Sequence, residues 1–198
     1  MLTAAEVAGE RFQRYSDSDA EGVTSRTLPG VHPKAAYFTR GSGHNKLGKY
    51  TEIPDEYQEV VDRLTHKHKS AAKHVPAPDI RTQAGADGKI GIVTVGGCDQ
   101  AVREGIELLA KDGIKANFMR VRGFPFGGTV EEFLRAHDTV FVIEQNRDAQ
   151  LRQLLVNETG IDKERLKSVL VYGGFPLSAH HVVDGVRSQL TSQMGEAL

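Results

Sequence analysis

Lys89-Ile90-Gly91-Ile92-Val93-Thr94-Val95-Gly96-Gly97-Cys98-Asp99 is the stretch that decides the fold. A β-branched run that stops on a glycine pair reads as a fully buried strand, and Asp99 is placed to cap a following helix. That helix carries Val102, Gly105, Ile106 and Leu109 on its inner face and stops at Gly113. Outward from there the same alternation recurs. Ile114 to Val121 reads as a second strand, and Thr129-Val130-Glu131-Glu132 has capping-box spacing ahead of Phe133 and Leu134. Thr139-Val140-Phe141-Val142-Ile143 is a third strand, followed by a helix from Ala149 to Thr159 closed by Gly160. Ser168 to Tyr172 is a fourth, and Ser178 precedes a last helix with Val182, Val183, Val186 and Leu190 inward. Short apolar strands alternating with amphipathic helices predict a Rossmann-like α/β domain over 85–198, a mostly parallel sheet covered by helices.

Residues 1–84 differ in texture. One helix is clear: Pro54 suits its first turn, and Tyr57, Val60, Val61, Leu64, His68, Ala71 and Ala72 recur at helical spacing toward His74. Tyr37-Phe38-Thr39-Arg40-Gly41 reads as a short strand entering a glycine loop, and residues 1–30 show no strong pattern. Val75-Pro76-Ala77-Pro78 ends anything helical, and Gln83 to Gly88 reads as a flexible linker or a surface loop. The expected division is therefore 1–84, an irregular extension with one long helix, and 85–198. The extension is expected to lack a core of its own.

Composition limits the function. Across 198 residues, 39% are hydrophobic and 26% charged, so a wholly disordered chain is excluded. Lys+Arg 25 against Asp+Glu 26 leaves no basic excess to bind nucleic acid. No apolar run reaches membrane-spanning length, and Met1 to Glu6 has no signal-peptide character. A lone cysteine, Cys98, fits the reducing cytoplasm and by itself can hold neither a structural zinc nor a cluster.

Ligands and partners meet open α/β sheets at the carboxyl ends of their strands, so the loops after Val95, Val121, Ile143 and Tyr172 matter most. Gly96-Gly97 lacks the G-x-G-x-x-G spacing and no Walker-type lysine loop occurs, which disfavours a nucleotide site. Glu144-Gln145-Asn146-Arg147-Asp148-Ala149-Gln150 is the most unusual string. Read as a helix start, it needs only Asp148 as cap, with Glu144 saturated by backbone donors. The surplus of polar groups favours a recognition surface formed by Glu144, Gln145, Asn146, Arg147 and Gln150. Cys98 is expected to be buried and inert. His66, His68 and His74 fall on different helix faces, so no metal site is expected. Arg26 and His32, and Arg40 and His44, sit in glycine- and proline-shaped loops, where arginine forks suit carboxylates or phosphates and serve equally as loop anchors.

Arg26-Thr27-Leu28-Pro29-Gly30 with His32-Pro33, Tyr37-Phe38-Thr39-Arg40-Gly41 with His44, Val75-Pro76-Ala77-Pro78 and Val142 through Leu151 together resemble the C-terminal third of the alpha subunit of 2-oxoacid:ferredoxin oxidoreductases, the 2-oxoglutarate type especially. The resemblance implies a thiamine-dependent enzyme that decarboxylates a 2-oxoacid, passes electrons through iron–sulfur clusters to ferredoxin, and forms an acyl-CoA. It implies that 85–198 is the transketolase-C-terminal-like domain and 1–84 the tail of the pyrimidine-binding domain with its connecting helix. It also places Arg26, His32, Arg40 and His44 in the vicinity of substrate or coenzyme A.

Large parts of the family pattern are missing. The Y-P-I-T-P segment, the thiamine-activating glutamate, the G-D-G…N-N diphosphate motif and the cluster cysteines have no match, and Asp19-Ala20-Glu21-Gly22 replaces the usual Asp-x-Asp-Gly. The chain is therefore expected to be a truncated or split piece with no catalytic residue of its own. Alone it is expected to bind no cofactor. Thiamine diphosphate, magnesium, iron–sulfur clusters and coenzyme A belong to the implied complex, whose other members are the rest of the alpha subunit, the beta subunit and, through the complex, ferredoxin. A homodimer stays open, as does a stand-alone docking or small-ligand-binding module on the same fold.

Overall fold

A computed structural model describes residues 1–9, 12–16, 18–37 and 41–195, with side chains described up to Thr191. The chain divides into two compact units, Met1–His74 and Val75–Leu198. The division falls earlier than the textural change near residue 84. Its physical reason is a strand too short to carry a pattern: β1 (Asp79–Arg81) pairs antiparallel with β3 (Asn117–Val121) and so belongs to the sheet.

The second unit is one five-stranded sheet in the order β1-β3-β2-β4-β5, with β2 (Ile90–Val95), β4 (Thr139–Glu144) and β5 (Leu166–Leu170) completing it. All pairings except β1 with β3 are parallel. From β2 the chain moves outward to β3 through α2 (Asp99–Lys111). It then reverses, reaching β4 through α3 (Gly128–Arg135) and β5 through α4 (Gln150–Thr159). Right-handed crossovers in opposite directions put their helices on opposite faces. The core confirms it. Ile92, Phe118, Phe141 and Ile143 pack with Val102, Ile106 and Leu109 of α2 and with Val182, Val183 and Val186 of α5 (Ala179–Gly195). Val93, Met119, Val140 and Val142 pack with Val130, Phe133 and Leu134 of α3 and with Leu151 and Leu155 of α4. Odd and even residues of β4 thus feed different layers, as the strand period of two requires. Each fully buried Phe141- or Leu155-sized side chain contributes about 1.5–3 kcal/mol.

The Rossmann-like reading and the inner helix faces are borne out; several local details are not. The second strand begins at Asn117, not Ile114, and β5 spans Leu166–Leu170 rather than 168–172. Thr129 lies inside α3, whose cap is Gly127 without a side-chain bond, so the capping box does not form. Asp99 is the first residue of α2 and makes no cap. Its carboxylate instead pairs with Arg103 at 2.8 Å and Arg120 at 3.6 Å, and Arg103 reaches Asp79 of β1 at 2.6 Å.

The first unit centres on α1 (Pro54–Ser70), and among its described residues Val7, Ala35 and Val60 are the buried apolar side chains. Three such residues make a thin core. Tyr57, Val61 and Leu64, on the apolar spacing of α1, are exposed. The Asp19–Val23 turn is clasped to α1 and to the residues just after it: Arg63 donates to the Gly22 carbonyl at 2.9 Å, and His74 meets Glu21 at 2.7 Å.

Residues 75–198 alone are expected to melt in one cooperative transition, whereas 1–74 alone gives none. Starting the second unit at residue 85 removes β1 and the Asp79–Arg103 pair, leaving an arginine that is largely buried with one partner fewer. Calorimetry should then show a loss of about 1–3 kcal/mol; an unchanged melting curve would show that β1 contributes nothing.

Candidate functional site

β4 ends on Glu144, whose side chain is buried at 2% exposure. A carboxylate so desolvated must be hydrogen-bonded. It accepts from the Leu151 and Arg152 backbone amides at 2.8 and 3.2 Å and from the Asn146 amide at 2.5 Å. Those backbone donors are the otherwise unsatisfied first N–H groups of α4. They need this carboxylate because the residue preceding the helix, Ala149, lies in the left-handed region at φ 52° and makes no side-chain cap. Asp148 is therefore not the cap; its carboxylate pairs with Arg147 at 2.8 Å. Asn146 finishes the loop by accepting from Asp148 and Gln150 amides at 3.0 and 3.2 Å. Glu144 and Asn146 thus face inward and shape the turn, while Gln145, Arg147 and Gln150 are exposed. Gln145 reaches across the edge to the Phe175 carbonyl at 3.4 Å and lies 3.7 Å from the buried Cys98 thiol.

Beside this loop a cavity of about 370 Å³ opens at the carboxyl ends of β3, β2 and β4. Val95, Val121, Phe124, Phe126, Leu151 and Leu154 form its apolar walls, with Arg122 and Gln150 also lining it. The sequence points to the loop from Val121 to Gly128, which supplies Arg122, Phe124 and Phe126, but not to Leu151 and Leu154 of α4 as the facing wall. The Asp99–Arg103 pair, at helical i,i+4 spacing, was equally legible and equally missed.

Among the described residues, Arg26, His32 and His44 are not hydrogen-bonded to one another. Arg26 is exposed, and its carbonyl accepts from the Leu2 amide at 2.7 Å. His32 accepts from the Lys34 amide at 3.1 Å and so caps a short turn. His44 stacks on Tyr15 with ring centroids 4.4 Å apart. Arg40 lies outside the described residues. Among the described residues no three His, Cys, Asp or Glu side chains are grouped to hold a metal ion, and no helix is long and apolar enough to cross a membrane.

No family model matches the chain. It is similar to 2-oxoacid:ferredoxin oxidoreductase 2, subunit alpha, of Aeropyrum pernix, 28% identical over 179 residues, 89% of this chain and 27% of that one. It is similar also to the 2-oxoacid:ferredoxin oxidoreductase alpha subunit of Saccharolobus solfataricus, 25% identical over 178 residues, 86% and 28% of the two chains. The chain therefore spans just over a quarter of the length of the relatives it matches. Among solved structures, its fold is shared with the 2-oxoglutarate:ferredoxin oxidoreductase of Magnetococcus marinus, which has 2-oxoglutarate, coenzyme A and succinyl-CoA bound, at a TM-score of 0.76 and 21% identity, covering 91% of this chain and 31% of that one. The resemblance carried by the sequence motifs is borne out: the chain is similar to a part of the alpha subunits of 2-oxoacid:ferredoxin oxidoreductases.

Two measurements test the local geometry. Glu144→Ala should lower stability by about 1–3 kcal/mol, because the donors it leaves unsatisfied are internal; a denaturant melt within error of wild type would refute the capping role. The second concerns the Asp19–Val23 turn. Asp19 is held below its ordinary 3.8 by the Val23 and Glu21 amides and by the nearby His66 and His74 charges. Glu21 is held below 4.5 by the His74 hydrogen bond and by the His74 and Lys73 charges. Carboxylates with depressed folded values stabilise the turn above their unfolded values and lose that effect as pH falls through the folded ones. The side-chain carboxyl carbon shifts should report a midpoint below 4.5 for Glu21 and below 3.8 for Asp19. A midpoint at or above the ordinary values would contradict the clasp.

Proposed function

We propose that this chain is an assembly piece of a 2-oxoacid:ferredoxin oxidoreductase alpha subunit, taking part in thiamine-dependent oxidative decarboxylation of a 2-oxoacid to an acyl-CoA but not catalytic alone. Its partners in this reading are the rest of the alpha subunit and the beta subunit, with ferredoxin reached through the complex. Thiamine diphosphate, magnesium and the iron–sulfur clusters are then held by those other parts. Val75–Leu198 serves as the transketolase-C-terminal-like module, and the residues before it as the tail of the pyrimidine-binding domain. The loops of Arg26, His32, Arg40 and His44 face substrate or coenzyme A once the complex forms; the coenzyme A and 2-oxoglutarate bound by the Magnetococcus enzyme support this direction.

The observation that carries the assembly role is the division of labour in the loop after β4. Glu144 and Asn146 use their hydrogen bonds to lock the backbone. Gln145, Arg147 and Gln150 are thereby presented outward on a preorganised frame, which lowers the ordering cost of an interface. Chemistry by Glu144 is disfavoured, since both of its oxygens are engaged by donors of the chain itself.

Arg147→Glu, combined with Gln145→Ala, should leave the melting temperature of the chain unchanged, both residues being exposed. Co-expressed with the remaining alpha segment and the beta subunit from the same source, the double variant should associate about tenfold more weakly, near 1.4 kcal/mol. Sedimentation of the mixed subunits reads this directly. If the wild-type chain fails to join the complex, the reading fails; if the variant joins equally well, another surface makes the contact.

A further inference from the structure

The cavity at the carboxyl ends of β3, β2 and β4 lies where the strand order reverses, the position at which open α/β sheets bind ligands. At about 370 Å³ it is within the lower range of small-molecule pockets. Its chemistry is lopsided. Val121 and Leu151 are buried wall residues, whereas Val95 and Phe124 stand 40% and 42% exposed at its mouth. Phe126 packs edge-on against Phe124 at 5.2 Å, giving the wall an aromatic corner.

The polar groups around this apolar body are not equivalent. Glu144 accepts from three internal donors, and the Asn146 side chain is engaged at both ends. Both are already committed to holding the turn. Arg122 is different. It is exposed at the rim, it donates to the Ala77 carbonyl at 3.5 Å, and among the described residues it has no carboxylate partner. A guanidinium has five donors in a planar fork that matches a carboxylate. The backbone that carries it is held in place: a Cβ on Gly123 would come within 2.9 Å of Val75, so that loop packs directly onto the preceding segment. The rim cation and the apolar walls are therefore presented in a fixed relation.

We propose that this cavity is a binding site for a small amphipathic carboxylate, with an apolar body of about one aromatic ring between Val121, Leu151 and Phe126 and its carboxylate paired with Arg122. The Glu144 carboxylate below disfavours an anionic or acceptor group at the inner end, which leaves the ligand's carboxylate at the rim and its apolar body inward. This reading is independent of the assembly role and stands or falls without it.

The test is a methyl and amide NMR titration of the full 198-residue chain with 3-phenylpropionate, its neutral isostere 3-phenylpropanamide, and acetate. Expected are saturable shifts at Val121, Leu151 and Leu154 with 3-phenylpropionate, binding about fivefold weaker with the amide, and none with acetate. Arg122→Gln, at an exposed position that should fold, is expected to bring the carboxylate down to the affinity of the amide and leave the amide unchanged. Leu154→Phe, which narrows the cavity, should weaken both. Equal affinity of carboxylate and amide in the wild-type chain would overturn the assigned role of Arg122. Absence of saturable shifts at these methyls, or shifts centred elsewhere, would overturn the site.

Discussion

A single buried carboxylate joins three parts of the second unit. Glu144 ends β4, its side chain terminates the free amides of α4, and its backbone carbonyl accepts from Val171 beyond β5 at 3.1 Å. A desolvated charge is tolerable only with such partners, and a helix N-terminus supplies both donors and a favourable dipole. The cost of an uncapped helix start and the cost of a buried carboxylate offset one another here. The consequence is a rigid turn at the sheet edge, in which even Ala149 is kept in a left-handed conformation that L-residues avoid.

That rigidity organises the edge into two kinds of surface. The turn presents Gln145, Arg147 and Gln150 to solvent, while the side of the sheet facing α4 leaves an apolar cavity rimmed by Arg122. Both depend on Glu144 holding α4 against the end of β4, since Leu151 and Leu154 of that helix form one wall. The buried Cys98, close to Gln145, belongs to the same junction, and burial makes it a packing residue in the absence of a base beside it.

The two units differ in how they are held together. The second buries apolar side chains on both faces of a central sheet, which is the arrangement that gives a parallel sheet its stability. The first relies on turns clasped to α1 by hydrogen bonds and ion pairs that are mostly exposed, interactions individually weak in water. The exposed Tyr57, Val61 and Leu64 on α1 are apolar side chains that its own unit does not cover.

What the sequence by itself determined is the alternation of elements in the second unit, because period-two and period-3.6 apolar patterns are local and need no knowledge of the partner strand. Ile92, Phe141, Leu109 and Val182 were legible as core on that basis, and so was the family resemblance, carried by short strings around Arg26, His44 and Glu144. Only the tertiary structure decided the use of the polar groups. Asp99 read as a cap but pairs with Arg103 and Arg120, and Asp148 read as a cap but yields to Glu144. Likewise β1, three residues long, becomes a strand only because the free edge of β3 is available to it. A hydrogen bond or ion pair is made with whatever the fold brings within about 3 Å, and sequence separation carries little information about that distance. Apolar burial is averaged over a whole face and survives errors of a residue; a cap, a rim arginine or an edge strand depends on one neighbour, which the fold alone supplies.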